Sequence, residues 1–171
     1  MNLQTKAIFL DRDGVINIDK SYVCKKEDFE FVTGVFESLR YFQSLGYILL
    51  VVTNQSGIGR GYYSEDDFSA LTSFMIKELK KEDITIDKVY HCSSTPEDNL
   101  SCRKPNPGML LDGKEDFNID MENSWMIGDK KSDIEAGSRA GINNTIYIGN
   151  KKLNIAKFSV NSILDTMDII K

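Results

Sequence analysis

Lys6-Ala7-Ile8-Phe9-Leu10-Asp11-Arg12-Asp13-Gly14 joins a short run rich in strand formers to a turn that carries two carboxylates. The run reads as a buried strand and the turn as its polar end, so chemistry belongs at the end of that strand. The arrangement recurs downstream. Tyr47-Ile48-Leu49-Leu50-Val51-Val52 is apolar on both faces, as a central parallel strand covered by helices on each side requires, and it ends in Thr53-Asn54-Gln55-Ser56. A third strand around Lys88 to His91 leads into an irregular stretch from Ser93 to Pro107. A fourth, Trp125-Met126-Ile127, ends at Gly128-Asp129, and Thr145 to Ile148 forms a fifth.

Between these strands the apolar spacing changes to that of helices. Val35, Leu39 and Phe42 share one face of a helix from about Val35 to Leu45, which Gly46 stops. Phe68, Leu71, Met75 and Leu79 line a second that starts at Ser64-Glu65-Asp66-Asp67, and the stripe reads as core. A third helix lies beyond Pro107, and Ser132-Asp133-Ile134-Glu135 caps a fourth that stops at Gly141. The tail from Lys151 to Lys171 is expected to hold a turn and a closing helix. Strands alternating with helices imply right-handed crossovers and an α/β, Rossmann-like three-layer sandwich around a central parallel sheet. Such sheets bind ligands outside the carboxyl ends of their strands.

Size and charge narrow the function. The 171 residues, 41% hydrophobic and 27% charged, suit one domain over residues 1–171 and exclude collagen, coiled-coil and disordered chains. Lys+Arg number 21 against 26 Asp+Glu, a net charge of −5 that disfavours nucleic acid as a partner. The longest apolar run falls far short of a membrane span, and neither a signal peptide nor an even cysteine framework is visible among Cys24, Cys92 and Cys102. A cytoplasmic protein with no membrane association is expected, its cysteines buried thiols.

Four strand ends then deliver Asp11 with Asp13, Thr53 with Asn54, Lys104 on the following loop, and Asp129. Carboxylates brought together repel unless a hard cation sits among them, and a few oxygens plus waters is how Mg²⁺ is usually held. A lysine and a threonine hydroxyl beside that cation suit the oxygens of a phosphoryl group. These residues, as Asp11-Arg12-Asp13-Gly14-Val15, Thr53-Asn54, Lys104 and Gly128-Asp129, resemble the four ordered motifs of the haloacid-dehalogenase-like phosphohydrolases. Thr53-Asn54-Gln55-Ser56-Gly57-Ile58-Gly59-Arg60-Gly61-Tyr62-Tyr63 and Cys102-Arg103-Lys104-Pro105 are similar, more locally, to the D-glycero-D-manno-heptose 1,7-bisphosphate phosphatases and the related histidinol-phosphate phosphatases.

The resemblance implies a phosphorylated sugar as substrate, in surface-polysaccharide biosynthesis, and assigns roles. Asp11 is the expected nucleophile, Asp13 the acid and base, and Thr53 and Lys104 the holders of the transferring phosphoryl oxygens. Mg²⁺ is expected on Asp11, Asp129 and the backbone carbonyl of Asp13. Arg103 is expected to grip a second phosphate with its guanidinium fork. Asp19, Lys20, Ser21, Tyr22, Asn54, Gln55, Ser56 and Lys130 correspond to substrate-contacting stretches. Asp133 suits either the support of the metal's waters or a helix N-terminus. Histidinol phosphate, a polynucleotide 3′-phosphate and an inactive binding relative are the alternatives.

Two features separate this chain from that pattern. Only 39 residues lie between Asp13 and Thr53, too few for an inserted cap domain, so loops must select the substrate. A monomer is expected of such an uncapped chain. The family's zinc cluster falls on Cys92, Ser94, Leu100 and Cys102, and with only two of the four ligands present no zinc is expected there. His91 sits beside Cys92 on a strand and so faces the other way. Gly57, Gly59 and Gly61 suit either a turn or backbone approach to an anion, and Tyr62 and Tyr63 read as core or flap packing.

Overall fold

A computed structural model describes residues 4–171. Its six strands are β1 (Ala7–Leu10), β2 (Ile48–Asn54), β3 (Lys88–Cys92), β4 (Trp125–Gly128), β5 (Asn144–Ile148) and β6 (Phe158–Val160). They form one sheet in the order β3-β2-β1-β4-β5-β6, with every neighbouring pair parallel. The chain therefore starts in the middle of the sheet, builds outward to β3, and crosses back past β1 to build the other half. The strand order reverses beside β1, and there the connections diverge to leave a crevice at the carboxyl edge.

Period-two alternation explains the layers. Ile8 and Leu10 face one side with Leu49, Val51 and Ile127, against α1 (Val35–Ser44) and α3 (Glu65–Lys81). Ala7 and Phe9 face the other with Leu50, Val52 and Met126, against α4 (Gly108–Phe117) and α5 (Lys131–Arg139). All four residues of β1 are buried on both faces, which is why that segment carries no alternation of polarity. The short α2 (Ser56–Gly59) turns the chain at the end of β2. Ser64 caps α3 reciprocally with Asp67, as the sequence signature indicates.

Two expectations need correction. The tail holds no full closing helix: Phe158–Val160 adds β6 to the edge of the sheet, and a single 3₁₀ segment, Leu164–Asp168, follows. Three half-buried residues paired only to β5 give too short a pattern to read. The tail is anchored by backbone instead, for Ser38 Oγ donates to the Ile163 carbonyl and Tyr41 Oη to that of Ile170. Helix α5 also begins earlier than expected, at Lys131, because the Asp133 carboxylate reaches back to the Lys130 amide at 2.9 Å. Among the described residues no helix is long and apolar enough to cross a membrane.

Candidate active site

The Asp11 amide donates to the Ile127 carbonyl at 3.1 Å, which extends the β1–β4 ladder one residue past the strand and holds Asp11 at the crevice, 5% exposed. The chain then folds tightly, with the Gly14 amide on the Asn17 carbonyl at 2.7 Å and Gly14 at φ +90°. A side chain is excluded there twice over, by that φ and because a Cβ would lie 2.1 Å from Asp129 Oδ2. The turn and the end of β4 thus close directly on one another.

Lys104 lies on the opposite wall, 3% exposed. Its ammonium donates to Asp11 Oδ1 at 2.9 Å and to the Val52 carbonyl at 2.7 Å, and pairs with Asp133 Oδ1 at 2.6 Å. Burial disfavours this cation, but Asp11 and Asp133 outweigh burial and raise its pKa, so it stays charged. Its backbone is clamped by Asn54, whose Nδ2 donates to the Lys104 carbonyl and whose Oδ1 accepts from the Lys104 amide, both at 3.0 Å.

Oxygens of Asp11, Asp129 and Asp133 all lie within 4.8 Å of one another. Burial, then Asp133, pushes the Asp11 carboxyl up. Burial first, then Asp11 and Asp133, push Asp129 up to about 8. Asp129 Oδ1 is buried and has no hydrogen-bond partner. Three crowded carboxylates facing one lysine, with one oxygen left unpaired, fit a hard divalent cation held mainly by Asp11 and Asp129. Asp133 has both oxygens engaged, one on Lys104 and one on the Lys130 amide. The helix N-terminus reading of Asp133 therefore holds, and its other oxygen is engaged by Lys104.

A pH dependence follows for the metal-free protein. Asp129 binds its proton more tightly folded than unfolded, so the stability it contributes is complete below its ordinary pKa of 3.8 and is lost as pH rises through about 8. Thermal unfolding in EDTA is expected to shift down by several degrees between pH 5 and pH 8, and saturating Mg²⁺ to reverse most of that loss at pH 8. A metal-free melting temperature that rises over this interval would contradict the assignment.

Asp13 is oriented differently from Asp11. Its carboxylate accepts from Arg12 Nη2 at 3.0 and 3.1 Å, from Asn17 Nδ2 at 3.0 Å and from Gln55 Nε2 at 3.1 Å. Its side chain is accordingly not among the clustered carboxylates, and only its backbone carbonyl remains for the metal. Thr53 is buried with its Oγ1 accepting from Gln55 Nε2 at 2.8 Å, which leaves the hydroxyl hydrogen free to donate. Tyr63 donates to Gln55 Oε1, and burial, chiefly, raises its pKa to about 12, so it remains a donor.

Above these groups opens a cavity of about 490 Å³. Asp13, Asp19, Ser21, Tyr22, Asn54, Gln55, Ser56, Arg103, Lys104 and Lys130 all line it. Arg103 is fixed by a 2.9 Å bond from Nη1 to the Ser94 carbonyl, and Lys130 reaches Asp19 at 3.2 Å. Lys20 is the exception: it does not line the cavity, because its side chain points to Glu30, with which it pairs at 3.0 Å, while its neighbours Asp19 and Ser21 face the site. The residue the sequence reading passed over is Arg12. It is 1% exposed, its Nη2 also donates to the Val23 carbonyl at 2.8 Å, and it ties Asp13 to the flap formed by residues 17–34. Its position between two aspartates was the available signal.

The irregular loop also differs from expectation. Cys92 and Cys102 are joined as a disulfide, with sulfurs at 2.00 Å, rather than left as buried thiols. The loop returns its far end to the end of β3, with Cα atoms 5.5 Å apart, a separation that a disulfide spans. The other two positions of the zinc pattern offer Ser94, whose Oγ lies 3.2 Å from Cys92 Sγ, and Leu100, 52% exposed. His91 points away, its Nε2 2.7 Å from Glu65 and its ring stacked on Phe68. Gly59 spends its amide on the Ser93 carbonyl at 3.0 Å, which favours the turn reading of that glycine.

Comparison with known proteins matches this geometry. A family described as HAD-hydrolase-like matches residues 101–150. D-glycero-alpha-D-manno-heptose-1,7-bisphosphate 7-phosphatase of Campylobacter jejuni is 55% identical over 150 residues, covering 88% of this chain and 86% of that protein. D-glycero-beta-D-manno-heptose-1,7-bisphosphate 7-phosphatase of Helicobacter pylori strain 26695 is 51% identical over 144 residues, covering 84% and 83%. Among solved structures, a D,D-heptose 1,7-bisphosphate phosphatase from B. bronchiseptica, complexed with magnesium and phosphate, superposes with a TM-score of 0.87. It is 26% identical, over 96% of this chain and 97% of that one.

Proposed function

The chain belongs to the haloacid-dehalogenase-like phosphohydrolases, in their heptose-bisphosphate phosphatase branch, and on that premise we propose that it removes the 7-phosphate of D-glycero-D-manno-heptose 1,7-bisphosphate. The observation that carries the reading is the unpaired Asp129 oxygen beside Asp11 and Lys104, beneath a cavity lined by Arg103 and Lys130. One end supplies the groups for transfer of a phosphoryl unit. The other supplies the Arg103 guanidinium for a second anion, which a bisphosphate has.

Asp11 attacks phosphorus through a carboxylate oxygen. The new O–P bond forms as the bond from phosphorus to the sugar oxygen breaks, leaving an aspartyl-phosphate. Asp13 gives its proton to the departing oxygen. It then takes one from water, whose oxygen attacks the aspartyl-phosphate and releases inorganic phosphate and free Asp11. The hydrogen bonds from Arg12, Asn17 and Gln55 fix the direction in which Asp13 hands over its proton. Thr53 and Lys104 bind the equatorial phosphoryl oxygens, and Asp133 and Asn54 keep Lys104 in place for it. Mg²⁺, held by Asp11, Asp129 and the Asp13 carbonyl, supplies positive charge to the phosphoryl oxygens when bound. At the far end Arg103 receives the 1-phosphate, with Ser21, Tyr22, Gln55 and Ser56 along the sugar, while Lys130, next to Asp129 and Asp11, adds positive charge at the phosphoryl end.

The setting of this reading is a monomer in the cytoplasm, where phosphorylated sugars are retained by their charge, and its net charge of −5 argues against a nucleic-acid substrate. Every catalytic group is present, which weighs against an inactive relative. The test is release of phosphate from the heptose bisphosphate, histidinol phosphate and a 3′-phosphorylated oligonucleotide. The bisphosphate is expected to lead in kcat/KM by at least about tenfold. Its product should keep the 1-phosphate signal in ³¹P NMR, and turnover should vanish in EDTA and return with Mg²⁺. Comparable turnover of histidinol phosphate would overturn the substrate assignment.

A further inference from the structure

Tyr62 has no part in the mechanism above and is 61% exposed. It follows Gly61, in the turn between α2 and α3, and its ring meets the ring of Tyr22 edge-on, with centroids 4.9 Å apart and planes at 89°. Tyr22 is itself 47% exposed and lines the cavity. The two rings thus stand together at the rim of the cavity and not in the core.

The backbone beneath Tyr22 adds a second, independent observation. Ser21 and Tyr22 stand at φ 60° and 54°, successive non-glycine residues in the left-handed region. Such a pair is held only where its surroundings fix it. On one side Asp19 does so, accepting from the Ser21 amide at 2.9 Å and pairing with Lys130 at 3.2 Å. On the other side stand Tyr62 and the bare Cα of Gly57, where a Cβ would lie 3.0 Å from Tyr22 Cδ1.

We propose that Tyr62 is a positioning residue: it holds Tyr22, and with it the strap of residues 19–22, in the pose that walls the cavity over the part of the substrate remote from the reacting phosphate. The inference rests on the substrate reading above only for which substrate is affected. Edge-to-face contact between the rings holds the strap, not the Tyr62 hydroxyl, so phenylalanine should replace it.

Two measurements test this. In steady-state kinetics, Tyr62→Ala is expected to raise KM for the heptose bisphosphate by about two- to tenfold with kcat little changed. Its kcat/KM for p-nitrophenyl phosphate, which fills only the phosphoryl end, should stay at the parent value, and Tyr62→Phe should behave as parent on both. In hydrogen exchange of the substrate-free protein, Tyr62→Ala should lose protection of the Ser21 amide by a similar factor and Tyr62→Phe should not. Equal losses on both substrates, or unaltered Ser21 exchange in Tyr62→Ala, would overturn the proposal. If the parent protein fails to hydrolyse the bisphosphate, the substrate reading falls, while the exchange experiment still decides the role of Tyr62.

Discussion

Asp11→Asn is expected to lower kcat by about 10⁴–10⁶-fold while leaving the fold intact. The amide has the shape of the carboxylate but cannot form the acyl phosphate, so loss should appear in the first turnover and no phosphoryl adduct should accumulate in intact-protein mass spectrometry. Stability separates this from misfolding. The pKa of Asp11 is raised because burial and Asp133 outweigh Lys104, so its negative charge costs the metal-free fold more than its lysine contact returns. Neutralising the position should therefore leave the metal-free melting temperature at neutral pH no lower than that of the parent. Turnover at the parent rate would rule out the covalent route through Asp11.

Lys104→Met carries the second large effect, and it acts on chemistry and stability together. Removing one preorganised cation from a phosphoryl site typically costs about 10²–10³-fold in kcat. Here the lysine also compensates two buried carboxylates, Asp11 and Asp133, at 2.9 and 2.6 Å. Left without it, they become an uncompensated buried pair, a change worth about 3–5 kcal/mol in comparable sites. The variant should melt well below the parent in EDTA and recover part of the difference on addition of Mg²⁺. Lys104→Arg is not expected to rescue turnover, because a planar fork does not fit a recess sealed by Asp11, Asp133 and the Val52 carbonyl. A methionine variant within threefold of the parent would remove Lys104 from the mechanism.

How much of this was legible in the sequence depended on how local the signal was. The both-faces-apolar runs of β1 and β2 and the capping pair Ser64 and Asp67 are written within a few residues of themselves, and they read correctly. The polar residues closing β1, β2 and β4 pointed to one crevice, and Asp11, Lys104 and Asp129 do converge there. What escaped was set by distant partners. Phe158–Val160 becomes a strand only because β5 offers an edge, and nothing within three residues announces it. Arg12 looks like one charge among several until the flap is seen to close over it, and Lys20 points out of the site to Glu30. The Cys92–Cys102 pairing is a matter of where the loop ends, which spacing alone leaves open.

The central place of β1 bears on how the enzyme is made. Asp11, the proposed nucleophile, precedes the backbone that steadies it, Ile127, and the carboxylate opposite, Asp129, by more than a hundred residues of chain. A nascent chain that stops short of β4 has Asp11, Thr53 and Lys104 but lacks the wall on which cation and ester are gathered. On the proposed mechanism, turnover therefore requires β4 beside β1, and chains ending before β4 are expected to leave sugar phosphates untouched.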